Sequence, residues 1–132
     1  MSNQIDLTRG WFRKAESDLH TCRLLIKSDG PYGTACLHAQ HAAEKYLKGL
    51  PAFHVIQIPG THNLEELELL CVGLTHPPVL TDLNLTLLTP YAVQMRYDAE
   101  FWPDQATAEE AIYGAGKIKK TVLDCTPSET YP

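Results

Sequence analysis

The stretch LHAQHAAEKYLKGL, residues 37–50, decides which fold this sequence predicts. Its apolar and its polar residues each recur at three- and four-residue steps, which place side chains on one face of an α-helix. The polar face carries His38, His41, Glu44, Lys45 and Lys48. The sequence therefore predicts a helix that packs along one face and can bind a ligand along the other.

Alanines dominate the apolar face of this helix, at Ala35, Ala39, Ala42 and Ala43. Small side chains let a second helix approach at the short end of the usual interaxial range of about 8–10 Å. We therefore expect close helix–helix packing along this face.

The composition predicts one globular domain. The chain has 132 residues, 44% of them hydrophobic and 20% charged, which suffices for a single core. No apolar run reaches the roughly 20 residues of a membrane-spanning helix, and the first residues are too polar for a signal peptide. We expect a cytoplasmic protein without membrane contact, with one domain over residues 1–125 and a flexible tail over residues 126–132.

Charge and cysteine usage exclude further classes. The formal net charge of −5 works against non-specific nucleic-acid binding, which needs clustered lysines and arginines. Any contact with nucleic acid must therefore be local. The four cysteines form no Cys-x-x-Cys pair, and we expect free thiols that pack as small hydrophobic side chains.

Three helices are predicted in the first half of the chain. The first follows Thr8 as a possible N-cap and ends before the turn at residues 28–31, and the second runs from Tyr32 to Phe53. The third is short, with Asn63 as its N-cap and Glu66 completing a capping box.

The segment from Leu80 to Tyr97 is ambiguous, because its leucines alternate with polar residues as in a β-strand. A lone strand would have no partner, so we predict a helix capped by Asp82 and kinked or restarted at Pro90. The last helix is predicted to open with Thr107 and Glu110 as a capping box. The pattern is that of an all-α fold, an up-down helical bundle of four main helices plus one short helix.

Four short motifs lie in order along these helices: Trp11 with Ala15 and Asp18-Leu19; His38, Gln40, Ala42, Ala43, Glu44, Lys45, Leu47 and Lys48; Thr61-His62-Asn63-Leu64; and Tyr91 with Arg96-Tyr97. Together they resemble the HEPN domain family, and the resemblance extends from Trp11 to Leu123. It implies a helical domain that usually forms a homodimer. It also implies nucleotide or RNA binding, metal-independent RNA cleavage, or service as the toxin or regulatory partner of a small nucleotidyltransferase.

The ribonuclease members of the family share an arginine and a histidine that are separated by four to six intervening residues and are brought together across the dimer. Arg96 fits the arginine, but Phe101, Trp102 and Pro103 stand where the histidine is expected. The general base that would take the 2′-hydroxyl proton is therefore missing from its usual place. His41 is a second departure, since this part of the family often has glutamine there.

The candidate nucleotide- or RNA-binding residues are cations, histidines and an aromatic side chain: Arg96, Tyr97, His62, His41, Lys45 and Lys48. Each has a structural alternative. Arg96 can pair with Asp98 or Glu100, Tyr97 can pack, and His62 can help to cap the third helix.

Two further groups of residues leave alternatives open. His38, His41 and Glu44 can contribute to a metal site that a second helix completes, or make a hydrogen-bonded interhelical contact. We expect the second, and therefore no metal and no cofactor. Phe101 and Trp102 can pack, form a dimer interface or stack on bases.

Three functions remain open. The leading expectation is a homodimeric module without ribonuclease activity that binds a nucleotide, RNA or a nucleotidyltransferase partner. The alternatives are a metal-independent ribonuclease that uses Arg96 with His62 or His41, and a purely structural interaction protein.

Overall fold

The computed structural model describes residues 3–80, 83 and 85–132, and these ranges contain α-helices and no β-strand. The predicted all-α helical bundle is confirmed. Its elements are α1 (Asn3–Lys27), α2 (Tyr32–Phe53), α3 (Leu64–Val72), α4 (Leu85–Leu88), α5 (Tyr91–Tyr97), α6 (Gln105–Leu123) and a 3₁₀ turn (Ser128–Thr130). No helix in these ranges has both the length and the apolarity needed to cross a bilayer.

Helix α2 is the centre of the bundle and contacts each of the other five α-helices. The alanines of its apolar face are fully buried, as are Ala15 of α1 and Ala108, Ala111 and Ala115 of α6. Small residues on facing helices allow their backbones to approach closely. Packing along this face is therefore as predicted, and α2 has the predicted bounds. Cys22, Cys36 and Cys71 are buried free thiols, and Cys125 is a half-buried one.

The start of α1 differs from the prediction. Thr8 is not a cap but a fully buried residue inside the helix, which begins at Asn3. Gln4 Nε2 donates a hydrogen bond of 2.9 Å to the carbonyl oxygen of Phe53 at the end of α2. This contact with a distant part of the chain holds the first turn of α1 in the helix.

The predicted N-cap of α3 is confirmed, and that of α6 is wrong. Asn63 caps α3 as predicted, with its Oδ1 accepting from the amides of Glu65 and Glu66. The N-terminus of α6 was predicted wrongly, because Asp104 is the cap and accepts from the amide of Thr107 at 2.9 Å and from its hydroxyl at 2.7 Å. A carboxylate at this position also interacts favourably with the helix dipole.

The predicted fourth main helix is two short helices, α4 and α5, separated by Thr89 and Pro90. The preference for helix over strand is confirmed, and so is the restart at Pro90, which lacks an amide donor. The proposed cap, Asp82, lies outside the described residues. Thr89 ties this break to α3, since its hydroxyl accepts from the Leu64 amide at 3.2 Å and donates to Glu65 Oε2 at 2.9 Å.

The last residues of the chain lie against α1. Thr130 is fully buried, and the Arg9 guanidinium donates to the carbonyl oxygen of Glu129. The Tyr131 hydroxyl donates to the carbonyl oxygen of Leu123 at 3.1 Å. The flexibility expected for residues 126–132 stays a prediction about their motion.

The contact between α1 and α2 at Gly49 predicts a stability difference between two glycine substitutions. A Cβ at Gly49 would lie 2.4 Å from Cε1 of Phe12, whose ring is itself fully buried and 5.4 Å from the ring of Tyr46. We expect Gly49→Ala to lower the free energy of unfolding by about 1–3 kcal/mol, because the Phe12 ring has no room to move.

Gly10→Ala is the matched control, because Gly10 also lies within a helix but has no atom within 4 Å of an added Cβ. There we expect a gain of about 0.5–1 kcal/mol from the better helix propensity of alanine. Urea unfolding of both variants measures the two changes, and equal effects at both sites would contradict the tight contact at Gly49.

Candidate functional site

The polar face of α2 divides into two groups, each organised around a buried carboxylate. The first, the Asp18 cluster, consists of Asp18, His38, His41 and Lys45. Asp18 projects from α1 with a side chain only 10% exposed. Its Oδ1 accepts from His38 Nδ1 at 2.7 Å, and its Oδ2 accepts from Lys45 Nζ at 2.6 Å. His41 lies beside His38 on α2, with ring centroids 6.0 Å apart.

The second group, the Glu44 cluster, consists of Gln40, Glu44, Lys48 and His62. Glu44 Oε1 accepts from His62 Nδ1 at 2.8 Å, and Oε2 accepts from Lys48 Nζ at 3.0 Å. Gln40 Nε2 donates to the His62 carbonyl oxygen at 2.8 Å, which fixes the loop before α3 against α2. The side chains of Glu44 and Lys48 are 7% and 9% exposed, whereas that of His62 is 57% exposed.

The helical repeat explains why there are two clusters. At about 100° per residue, His38, His41 and Lys45 project in one direction, and Gln40, Glu44 and Lys48 project about 90–100° further around the axis. The first direction meets α1, which supplies Asp18, and the second meets the loop that supplies His62.

Burial and pairing set the protonation of these groups. Burial alone would raise the pKa of Glu44, but hydrogen bonds from His62 and Lys48 outweigh it and hold that pKa below its ordinary value. Burial lowers the pKa of His41 despite the opposing influence of Asp18 and Glu44, so its neutral form is favoured. Each carboxylate is ion-paired with one lysine, and each cluster therefore has little net charge until a histidine is protonated.

A third carboxylate network lies between α1, α2 and α6. Glu16 Oε2 accepts from the Tyr46 hydroxyl at 2.8 Å and from Lys119 Nζ at 2.7 Å. Burial favours a higher pKa for Glu16, but the bonds from Lys119 and Tyr46 bring that pKa below its ordinary value. Since all of these groups are partnered within the bundle, the network is structural.

Arg96 and Tyr97 lie at the end of α5, apart from both clusters, beside a cavity that is also lined by Gly33, Met95 and Trp102. Within the described residues, Arg96 forms no ion pair with Asp98 or Glu100, and both Arg96 and Tyr97 are exposed. The packing alternatives considered for these two residues are therefore not what the structure shows.

The two regions share one face of α2. A Cβ at Gly33 would lie 3.0 Å from Sδ of Met95, the neighbour of Arg96. Gly33 and Gln40 are seven residues apart, so they project in nearly the same direction and lie about 10 Å apart along the helix axis. The end of α5 is thus packed on the side of α2 to which Gln40 of the Glu44 cluster also projects.

The structure places four of the six residues predicted from sequence in two separate clusters: His41 and Lys45 in the Asp18 cluster, and Lys48 and His62 in the Glu44 cluster. Sequence reasoning did not assign Asp18 to the site. A signal was present, because Asp18 interrupts the buried face of α1 that Ala15, Leu19 and Cys22 define, and a buried carboxylate needs a partner.

Comparisons with known proteins agree with this architecture. The HEPN domain family matches residues 8–125 of the chain. The chain belongs to the HEPN family. Two solved structures share its fold at 29% identity: TT1696 from Thermus thermophilus, with a TM-score of 0.77 over 90% of this chain and 98% of that one, and ST0689, an archaeal HEPN homologue, with a TM-score of 0.67 over 89% and 95%. A comparison with curated proteins finds no match.

The place where HEPN ribonucleases are expected to have their histidine is occupied by two aromatic residues in this chain, Phe101 and Trp102. The Phe101 ring lies 5.6 Å from that of the buried Tyr91, and it is half-buried. Trp102 is 81% exposed, and its indole Nε1 donates to the Ala99 carbonyl oxygen at 2.9 Å. Neither ring can accept a proton, so no general base stands next to Arg96 in the sequence position that the family uses.

The Glu44 cluster predicts a specific pH dependence of stability. The pKa of Glu44 is lower in the folded state, so its contribution to stability is fully present above the unfolded value of about 4.3 and is lost as the pH falls through the lower folded value. We expect Glu44→Gln to lower the free energy of unfolding at pH 7 by about 1–3 kcal/mol.

Urea unfolding at pH 7 and pH 3 measures this dependence. The variant should lose less stability than the wild type on acidification, because it has no carboxylate to protonate at this position. Glu100→Gln, in an exposed loop, is the control and should behave as the wild type does. An unchanged pH dependence in Glu44→Gln would show that Glu44 does not contribute as described.

Proposed function

We propose that this HEPN protein is a binding module for RNA or a nucleotide, and that His62, His41 and Lys45 form the centre of its binding surface. The observation that carries the proposal is the state of His62. Its Nδ1 is fixed to a buried carboxylate, while most of its side chain is exposed.

This arrangement prepares Nε2 of His62 for a ligand. Because Glu44 can only accept a hydrogen bond when ionised, Nδ1 carries the proton of a neutral His62 ring, and Nε2 has a free lone pair. In the protonated ring both nitrogens are donors, so Nε2 can donate to a phosphate oxygen while Nδ1 stays bonded to Glu44. Lys48 is too buried to reach such a ligand and supports the site by holding Glu44.

Lys45 and His41 extend this surface along α2. Lys45 Nζ has three donors, of which Asp18 takes one, and the side chain is about a quarter exposed at 26%. Lys14 lies near Lys45, since both line a groove next to Trp11. Asp6 lines the same groove and Asp18 pairs with Lys45, so the two lysines offer a phosphate hydrogen-bond donors rather than a strongly basic patch.

Arg96 and Tyr97 would contribute at the other end of the same face. A guanidinium without an ion pair can bind phosphate bidentately, and an exposed aromatic ring can stack on any base. Tyr97 is 79% exposed and its neighbour Trp102 is similarly exposed, so both rings are accessible for stacking. A single strand lying along this face would contact both ends.

A metal-independent ribonuclease is the second candidate, and the Glu44–His62 pair favours it. A base held by an orienting carboxylate is the arrangement that general base catalysis requires. His62 would take the 2′-hydroxyl proton, and Arg96 would stabilise the charge on the phosphate. In the dimer expected of this family, the Arg96 of a second copy is also a possible partner of His62.

One RNA experiment distinguishes these functions. Labelled single-stranded RNA is incubated with the protein in EDTA, and retention and cleavage are scored together over a range of salt concentrations. We expect retention without cleavage. Lys45→Gln and His62→Ala should weaken retention, and each lost phosphate contact should reduce the log–log salt slope by about 0.7.

Lys120→Ala is the control, because this lysine is fully on the surface of α6 with an 82% exposed side chain. Cleavage that disappears in both Arg96→Ala and His62→Ala would establish the ribonuclease instead. Neither retention nor cleavage would contradict both functions and direct the search to a protein partner such as a small nucleotidyltransferase.

We also propose that the protein is a homodimer. The support is an exposed apolar patch on α5 and the loop after it, formed by Val93, Tyr97 and Trp102, which are 59%, 79% and 81% exposed. Clustered exposed aromatic residues are typical of protein interfaces. Dimerisation through this patch would compete with base stacking on the same rings.

Sedimentation at micromolar concentration measures the oligomeric state. We expect a dimer for the wild type and a shift towards monomer in Trp102→Ser, because the substitution removes the largest apolar side chain of the patch. Tyr113→Ser on α6 is the matched control, since Tyr113 is also exposed at 66%. A monomeric wild type would contradict the proposal.

A further inference from the structure

We propose that Asp18, His38 and His41 form a binding site for a divalent transition-metal ion such as Zn²⁺. Each residue offers one donor atom, and the three atoms lie within 4.8 Å of one another. This inference concerns a different ligand from that of the proposed function and does not depend on it.

The donor set fits the ion in kind. Imidazole nitrogen and carboxylate oxygen are ordinary Zn²⁺ ligands with bond lengths of about 2.0–2.2 Å. In a tetrahedral shell such bonds separate the donor atoms by about 3.3–3.6 Å. His38 Nδ1 and Asp18 Oδ1 are 2.7 Å apart around a shared proton, and small side-chain rotations can replace that proton by the ion.

The fold holds these donors in place before an ion arrives. His38 and His41 are three residues apart on α2 and therefore lie on neighbouring positions of one face, and Asp18 comes from the helix packed against it. The Asp18 side chain is about nine-tenths buried, which limits its freedom. Burial also lowers the pKa of His41 and so favours the neutral imidazole that a metal requires.

Glu44 is not part of the site, although the sequence places it on the same helix at the next three-residue step. Its two oxygens are directed to His62 and Lys48. The metal ligand from a second helix is Asp18 instead. With three protein ligands, a tetrahedral ion keeps a fourth position for water or an anion.

Lys45 is the group that opposes metal binding. Its ammonium lies 2.6 Å from Asp18 Oδ2, so it competes with the ion for this carboxylate and repels its charge. We therefore expect Lys45→Gln, which removes the charge but keeps a donor for Asp18, to bind metal more tightly than the wild type. The same variant should bind RNA less tightly if the proposed function holds.

Co²⁺ is the probe, because tetrahedral Co²⁺ has intense visible absorption bands that octahedral Co²⁺ lacks. Tag-free protein is freed of metal with EDTA, dialysed and titrated with Co²⁺, followed by competition with Zn²⁺. We expect tetrahedral bands in the wild type and their loss in His41→Gln and in Asp18→Asn. The affinity for Co²⁺ should fall by more than roughly 10–100-fold, which is the loss typical of removing a residue that only supports a metal ligand.

His20→Ala is the matched control, because His20 is an exposed histidine of α1 near Asp18 in sequence but outside the cluster. It should bind Co²⁺ as the wild type does. His41→Gln keeps the helix intact, since no hydrogen bond of the His41 side chain is present in the described part of the chain, and far-UV circular dichroism checks this. Absence of tetrahedral bands in the wild type, or equal bands in His41→Gln, would overturn the proposal.

Discussion

The ion pairs of Asp18 and Glu44 are the interactions on which the architecture of this polar face depends. Both carboxylates are largely buried in a bundle whose helices meet through alanines, and they depend on hydrogen-bonding partners within the protein. Leaving such a buried polar group without its partner typically costs about 1–3 kcal/mol. Lys45 and Lys48 are therefore needed for stability, whatever else they do.

This requirement limits what the same side chains can offer a ligand. Lys48 bonds to Glu44, lies over the Trp11 ring and is almost inaccessible, whereas Lys45 bonds to Asp18 and remains partly exposed. His62 is the most exposed of these side chains, at 57%, and its Nε2 is not used in the bond to Glu44. The exposure of each side chain, and not its charge alone, thus determines how well it can bind a ligand.

The fold was readable from the sequence where the deciding interactions are local. The bounds of α2 and the Asn63 cap follow from periodicity and from side chains within a few residues. Thr8 was misread as a cap because the first turn of α1 is held by Gln4 bonding to Phe53, 49 residues away. No pattern within one helix contains that information.

The candidate site also combines features that follow from local sequence with features that depend on distant parts of the chain. Spacing placed His38, His41 and Lys45 on one face, because the helical repeat alone determines it. It could not show that α1 would present Asp18 to that face, since the register between two packed helices depends on how their side chains interdigitate along the whole contact. The division of the polar face into two clusters is therefore determined by tertiary packing.

The segment after α5 shows why a family resemblance transfers unevenly. Arg96 keeps a solvent-facing position that any arginine chemistry would need, while Phe101, in a position where the ribonuclease histidine is expected, fills space against Tyr91. A half-buried ring that packs on the core cannot be exchanged for a charged imidazole without leaving a cavity and burying a charge. Any base that serves this protein must come from outside that segment. Buried carboxylates fix the orientation of His38 and His62, and His62 is the more exposed of the two.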